Sequence, residues 1–352
     1  MIYLYGMIQL QKFRTLVDLL TYFKDEQTCR DYLEIIRWEG ILECPYPTCS
    51  KDRHITKLKS GRYYCPACQG RYSVKTGTIF HDSKIPLRKW YAGIYLITAH
   101  KKGISSCQLA RDLGITQKSA WYMNHRVRHS FGWDVPTDKL SGIVEADETF
   151  IGGKESNKHK SKRTEGTQGR STETKTPVAG LVERGGEVRA KKVTDTTGNT
   201  LRKFVYENVE RGSKLHTDEW WGYKGLERVF SHSFIKHNEN QYVDGDTHTN
   251  TLEGFWSLLK RGCVGIYHSM SNKHLQKYID EFVFRYNTRK MSESDRFNLM
   301  LSGLAHHLPY SKLIENEKTN SLFDFKPIDQ QAQLKQGSFG FPDENASGNV
   351  QE

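Results

Sequence analysis

Between residues 40 and 82 the chain offers four cysteines in two close pairs and little from which to build a hydrophobic core. Cys44 and Cys49 flank Pro-Tyr-Pro-Thr, Cys65 and Cys68 flank Pro66-Ala67, and 15 residues separate the pairs. Two knuckles so arranged can place four thiolates tetrahedrally around Zn²⁺. The first gap is wider than the usual two residues. The remainder is glycine, polar side chains and strand formers such as Arg62, Tyr63, Tyr64 and Tyr72. A small β-rich zinc ribbon is predicted, with too little core to stand without its metal. Four unligated buried cysteines, the competing reading, would leave the segment with little to fold it. Cys29, Cys107 and Cys263 have no partner at ligand spacing and read as small core residues. An odd total of seven cysteines, four of them in close pairs, suits metal ligation in a reducing compartment better than disulfides.

At 352 residues the chain has length for a large domain and one or two small modules. The formal charge of +11, with basic residues in every region, favours a polyanionic partner such as nucleic acid. No stretch approaches the roughly 20 apolar residues of a membrane span, and the first residues lack a signal peptide's basic-then-apolar order. A soluble, intracellular protein with no membrane partner is expected.

Apolar residues recur at helical spacing from Thr15 to Trp38, giving two short helices broken near Lys24 to Thr28 within an N-terminal segment, 1–39. After the zinc ribbon, residues 83–135 read as three helices. In the last two, Leu109, Ala110, Leu113, Ile115, Ala120 and Val127 sit where a helix-turn-helix needs apolar contacts, with Gly114 at the turn. Gln117, Lys118, Tyr122, Asn124, Arg126 and Arg128 are then expected on the exposed face of the second helix, facing double-stranded DNA. An ordinary helical hairpin with its charged face in water is the alternative. Residues 140–295 change pattern: three strands (GIVEADETFIGG, TPVAGLVERGG, EVRAKKVTD), a helix across Thr200 to Glu210, a strand at KLHTD, then helices. That order predicts an α/β, RNase H-like core. Residues 154–175, with seven Lys or Arg, read as a mobile basic insertion, 296–319 as a C-terminal helix, and 320–352 as a disordered tail.

Three acids fall at telling places in this core. Asp147 lies in the first strand and shares a face with Glu145 and Thr149, while Glu148 is expected to point the opposite way and to be unable to share a metal with it. Asp218 ends the strand KLHTD. Glu253, with 34 residues between it and Asp218, lies on a helix whose polar face carries Asn250, Glu253, Ser257 and Lys260, opposite Leu252, Phe255, Leu258 and Leu259. Hard oxygen ligands suit Mg²⁺ or Mn²⁺, and two such ions support in-line phosphoryl displacement. Any one of 41 acidic residues is by default a surface charge; joint placement on strand, strand and helix changes that. Asp244 and Asp246 compete from a Gly-flanked loop, a poor place for a fixed ligand.

The phrases DYLEIIRWEG, CPYPTC, RYYCPACQGRYSVKTGTIFHDSKIPLRKW, VEADETFIGG, TDEWWGY, HTNTLEGFWSLLKRG and DEFVFRYN run in order from about residue 13 to 290. Together they make the chain resemble bacterial insertion-sequence transposases of the zinc-ribbon group, ISXO2-like and related to the Merlin elements. The resemblance implies a DDE transposase that binds terminal inverted repeats, cuts the element ends and joins them to target DNA. It implies Asp147, Asp218 and Glu253 as Mg²⁺ ligands and Lys260 as a basic helper beside the phosphate, with Asn250 the alternative third residue. A homodimer or higher synaptic assembly is expected because two ends must be cut, and the resemblance implies a place in the bacterial cytoplasm, associated with the nucleoid. Two other readings stay open: a zinc-ribbon and helix-turn-helix regulator with an inactive nuclease-like domain, and a nuclease or resolvase that cuts without strand transfer.

Overall fold

The computed structural model describes residues 10–46, 49, 54–132, 138–153, 159–164, 174–235, 248–304 and 307–315. The expected disordered tail, Asp244, Asp246 and most of the basic insertion lie outside the described residues. The chain divides into two compact units, residues 1–309 and 310–352.

Local capping chemistry sets the first helices. The Thr15 hydroxyl and the Asp18 carboxylate cap each other's backbone at the start of α1 (Leu16–Tyr22). The Asp25 carboxylate accepts from the Thr28 amide and starts α2 (Glu26–Trp38), so the break between them lies slightly earlier than the apolar spacing predicts. Three short strands follow, β1 (Thr56–Lys57), β2 (Tyr63–Cys65) and β3 (Gly70–Tyr72), in one antiparallel sheet. Then come α3 (Leu87–Ala99), α4 (Ser106–Leu113) and α5 (Gln117–Phe131). Ser105 and Thr116 cap α4 and α5, and Gly114 ends α4 at φ 58°, a left-handed conformation that costs glycine little.

A five-stranded sheet is built from β4 (Ile143–Ile151), β5 (Thr176–Glu183), β6 (Val188–Lys192), β7 (Lys214–Asp218) and β8 (Ser231–Ile235), in the order β6-β5-β4-β7-β8. The first three strands are antiparallel hairpin neighbours, and β4, β7 and β8 run parallel. Between β6 and β7 the chain forms α6 (Gly198–Asn208), and after β8 come α7 (Asn250–Gly262), α8 (Leu275–Asn287) and α9 (Glu293–Ser302). Alternating side chains of the sheet feed two cores. Val144, Ala146, Leu181 and Leu215 meet Leu201 and Val205 of α6 on one face, while Val178, Val182 and Val188 meet Leu252, Phe255, Leu259, Ile279 and Phe282 of α7 and α8 on the other. The molecule is thus a mixed α/β protein.

Strand β8 was not anticipated, and the expected single helix over 296–319 is two, α9 and α10 (Tyr310–Ile314). The aromatic side chains of α9 and its neighbours pack with the N-terminal helices and cysteine segment in a third core that includes Leu19, Phe23, Tyr63, Trp90, Leu109, Met123 and Phe297.

Candidate functional site

Parallel pairing of β4 with β7 runs through Glu145↔His216. Two residues further along each strand stand Asp147 and Asp218, at the carboxyl end of β7, the edge where open α/β sheets commonly bind ligands. Carboxylate oxygens of Asp147, Glu148 and Asp218 all lie within 4.8 Å of one another. Glu148 does lie on the face opposite Asp147, since its partner Tyr223 belongs to the α6-side core and that of Asp147, Trp256, to the α7-side core. Its carboxylate nonetheless converges with that of Asp147, contrary to the expectation that the two cannot share a metal.

Each acid has a distinct hold. The Trp256 indole of α7 donates to Asp147 Oδ2 at 3.0 Å, the Tyr223 hydroxyl donates to Glu148 Oε2 at 3.1 Å, and the Trp220 amide donates to Asp218 Oδ1 at 3.0 Å. Burial, reinforced by the negative charges of Glu148 and Asp218, pushes the Asp147 carboxyl up to about 8. Three converging acids on two strands suit a hard divalent cation, which would relieve their mutual repulsion.

Glu253 and Lys260 are exposed on α7, as is Asn250 in its first turn, and the polar and apolar faces of that helix fall as predicted. The Glu253 carboxylate is held by the Thr249 hydroxyl at 3.2 Å and is not among the three clustered acids. Trp256, one turn after Glu253, is the link from this helix to Asp147. Sequence reasoning missed Glu148, Tyr223 and Trp256. The available signals were the Tyr five residues beyond Asp218 and the Trp at i+3 from Glu253.

Room for Trp256 comes from Gly180, the β5 residue paired with Asp147. A Cβ at Gly180 would lie 2.4 Å from the Trp256 ring. Gly180→Ala is expected to destabilise the protein by about 1–3 kcal/mol through overpacking and to displace the indole from Asp147. Thermal denaturation and tryptophan emission check this; an unchanged midpoint and spectrum would show that the ring has room to spare.

The four cysteines of the paired knuckles converge as well. Sγ of Cys44 and Cys68 are 3.7 Å apart and those of Cys49 and Cys65 3.5 Å, with all four within 4.8 Å. Thiolates about 2.3 Å from a tetrahedral Zn²⁺ would be separated by about 3.8 Å, so the donor set fits zinc. The Cys68 amide donates toward Cys65 sulfur and is the first cause that draws this thiol down to about 7.

The helix-turn-helix residues divide. Leu109, Ala110, Leu113, Ala120 and Val127 are buried and Ile115 packs against them. Gln117 and Lys118 are exposed in the first turn of α5 and Tyr122 is half-buried, its hydroxyl donating to the Leu308 carbonyl. Asn124, Arg126 and Arg128 are buried and do not face solvent as expected. Arg126 donates to the carbonyls of Ile79, His81 and Leu308. Arg128 pairs with Glu281 of α8 at 2.6 Å, under the ring of Tyr278. Their positive charges are spent on joining helices.

Residues 139–287, which carry β4 to β8 and α6 to α8, match the ISXO2-like transposase domain. A protein in transposable element ISH50 of Halobacterium salinarum, itself uncharacterised, is 28% identical over 275 residues, covering 75% of this chain and 91% of its own length. The class is thus a transposase, a DNA-processing protein of mobile elements. Within this chain the similarity to the ISXO2-like transposase domain covers residues 139–287.

Proposed function

We propose that the protein binds the terminal inverted repeats of an insertion sequence, cuts the DNA at the element ends and joins the freed ends to target DNA, using an RNase H-like core and divalent cations. The convergence of Asp147 and Asp218 at the carboxyl edge of paired parallel strands, inside the transposase domain, carries this reading. These two acids, with Glu148 or Glu253 as the third, would hold Mg²⁺ or Mn²⁺. Such ions, when bound, activate an attacking hydroxyl and stabilise the leaving oxygen of a phosphodiester. Trp256 fixes the orientation of Asp147, Tyr223 that of Glu148, and the exposed Lys260 supplies positive charge for the DNA phosphate.

In the same reading residues 40–82 form the zinc ribbon, 83–135 the helix-turn-helix region and 140–295 the catalytic domain. Gln117 and Lys118, at the first turn of the second helix, face the element end, since that turn of a recognition helix is the one that reaches base edges. Two copies or more act together, one at each end.

The test is Mg²⁺-dependent nicking and joining of end duplexes by the full chain. Binding without any cleavage would instead favour the regulator, and cleavage without joining a nuclease. Glu148→Gln and Glu253→Gln, compared for Mn²⁺ affinity, separate the two third ligands: the one that weakens the ion is the ligand. Because Asp147 holds its proton up to about 8, a cation must displace that proton at lower pH. Mn²⁺ affinity, followed by electron paramagnetic resonance, is expected to rise about tenfold per pH unit up to that point and to level off above it. A flat profile would show that Asp147 gives up no proton to the ion.

A further inference from the structure

One layer below the acids, a second carboxylate is completely buried. Glu145 precedes Asp147 by two residues on the same face of β4 and has no exposed surface. Its Oε2 accepts from the amides of Thr251 and Leu252 at 2.9 and 3.0 Å. Its Oε1 accepts from the Thr251 hydroxyl at 2.9 Å and from Arg184 Nε at 2.8 Å. Nη2 of Arg184, from the β5–β6 turn, donates to the His248 carbonyl just ahead of α7 and lies 3.2 Å from Nδ1 of His216, the register partner of Glu145.

Thr251 and Leu252 belong to the first turn of α7, whose amides have no partner within the helix. The helix's own N-cap residue, Thr249, makes no side-chain cap; its hydroxyl is turned to Glu253 instead. The cap is supplied from the strand, where an anion also meets the positive end of the helix dipole. Stability alone does not call for this arrangement, because buried ion pairs are often replaceable by apolar groups without loss. What the network does secure is register. Strand β4 grips α7 at Thr251 and Leu252 through Glu145, and again at Trp256 through Asp147.

We propose that Glu145 is a positioning residue of the acidic centre: capping α7 from the strand that bears Asp147, it fixes the height at which Trp256 and Glu253 stand beside the clustered acids. The proposal rests on the reading that Asp147 and Asp218 hold the divalent cation.

The full chain carrying Glu145→Gln, which keeps the volume and removes the charge, provides the test, with Thr251→Val as a milder variant that removes one donor. Protein labelled with 5-fluorotryptophan gives a ¹⁹F resonance for Trp256, assigned by its loss in Trp256→Phe. At a temperature where circular dichroism shows the variants fully folded, Glu145→Gln is expected to cleave end DNA about 10²-fold more slowly. Affinity for that DNA should stay within about twofold, because no end-binding residue is touched. The Trp256 resonance should leave its wild-type position and lose its response to Mg²⁺. Thr251→Val should move the same resonance and slow cleavage by roughly tenfold.

Folded Glu145→Gln with a wild-type rate and an unmoved resonance overturns the proposal. If Glu145→Gln does not fold, the same result in Thr251→Val overturns it. Should the wild type and Asp147→Asn fail alike to cleave, the catalytic reading falls, while the ¹⁹F shift still reports whether Glu145 sets the helix.

Discussion

Asp147→Asn is expected to lower metal-dependent cleavage of element-end DNA by about 10³-fold or more while the cation-free protein becomes more stable at neutral pH. The first effect follows from removing a charged ligand from a site whose cations contribute several kcal/mol to the transition state, each 1.36 kcal/mol being about tenfold in rate. The second follows from linkage. An unfolded Asp ionises near about 3.9, whereas the folded Asp147 does so at about 8 because burial and the charges of Glu148 and Asp218 oppose its anion. The folded state therefore binds a proton that the unfolded state has released, and stability of the cation-free protein falls as pH rises between those two values. Asn cannot ionise, so the variant escapes that loss, and its side-chain oxygen can still accept from Trp256. A strand-specific nicking assay and thermal denaturation without divalent ions read the two effects together. Asp218→Asn should show the same loss of cleavage, with end-DNA affinity kept in both variants. A variant that still nicked at the wild-type rate would remove its residue from the site.

How far these features could be read from the sequence depends on how local their causes are. Helices α4 and α5 were legible because Ser105, Gly114 and Thr116 punctuate them within a few residues. The polar and apolar faces of α7 were legible because periodicity is a property of the segment itself. Glu148 was set aside because alternation puts it on the face opposite Asp147, and alternation does not show that the two carboxylates converge beside Asp218 at the end of the strand. Arg126 and Arg128 were assigned to DNA because helical phase does not show what lies across the groove. Their partners are the carbonyls of Ile79, His81 and Leu308 and the carboxylate of Glu281, 153 residues beyond Arg128. Strand β8 escaped because Phe234, its largest apolar residue, is 53% exposed and leaves no buried pattern to detect. Its existence is owed to the ladder offered by β7.

Loss of the thiolate site should act on folding rather than on chemistry. Cys65→Ser is expected to destabilise the N-terminal core by several kcal/mol, a fraction of the roughly 10–16 kcal/mol that structural zinc contributes in isolated fingers. The fraction is smaller than the whole because this segment does not fold alone: Tyr63 packs edge-on to Trp38 of α2 at 4.7 Å and stacks with Tyr72 at 5.5 Å. For the same reason the damage should not stay within the ribbon. When the knuckles part, Tyr63 and Tyr72 lose their anchorage, and Trp38 loses the surface against which α2 ends. Wild-type protein should contain one zinc per chain by elemental analysis, and Co²⁺ substitution should give the absorption of a tetrahedral thiolate complex. The acidic centre, built of hard oxygens, should neither produce that band nor require the soft site's ion. Stripping Mg²⁺ with a mild chelator should therefore stop cleavage with no change in melting, whereas removing the thiolate-bound metal should lower the melting temperature and abolish end binding together. A fully stable, zinc-free Cys65→Ser protein would mean that the aromatic packing around Trp38 holds this segment without a metal.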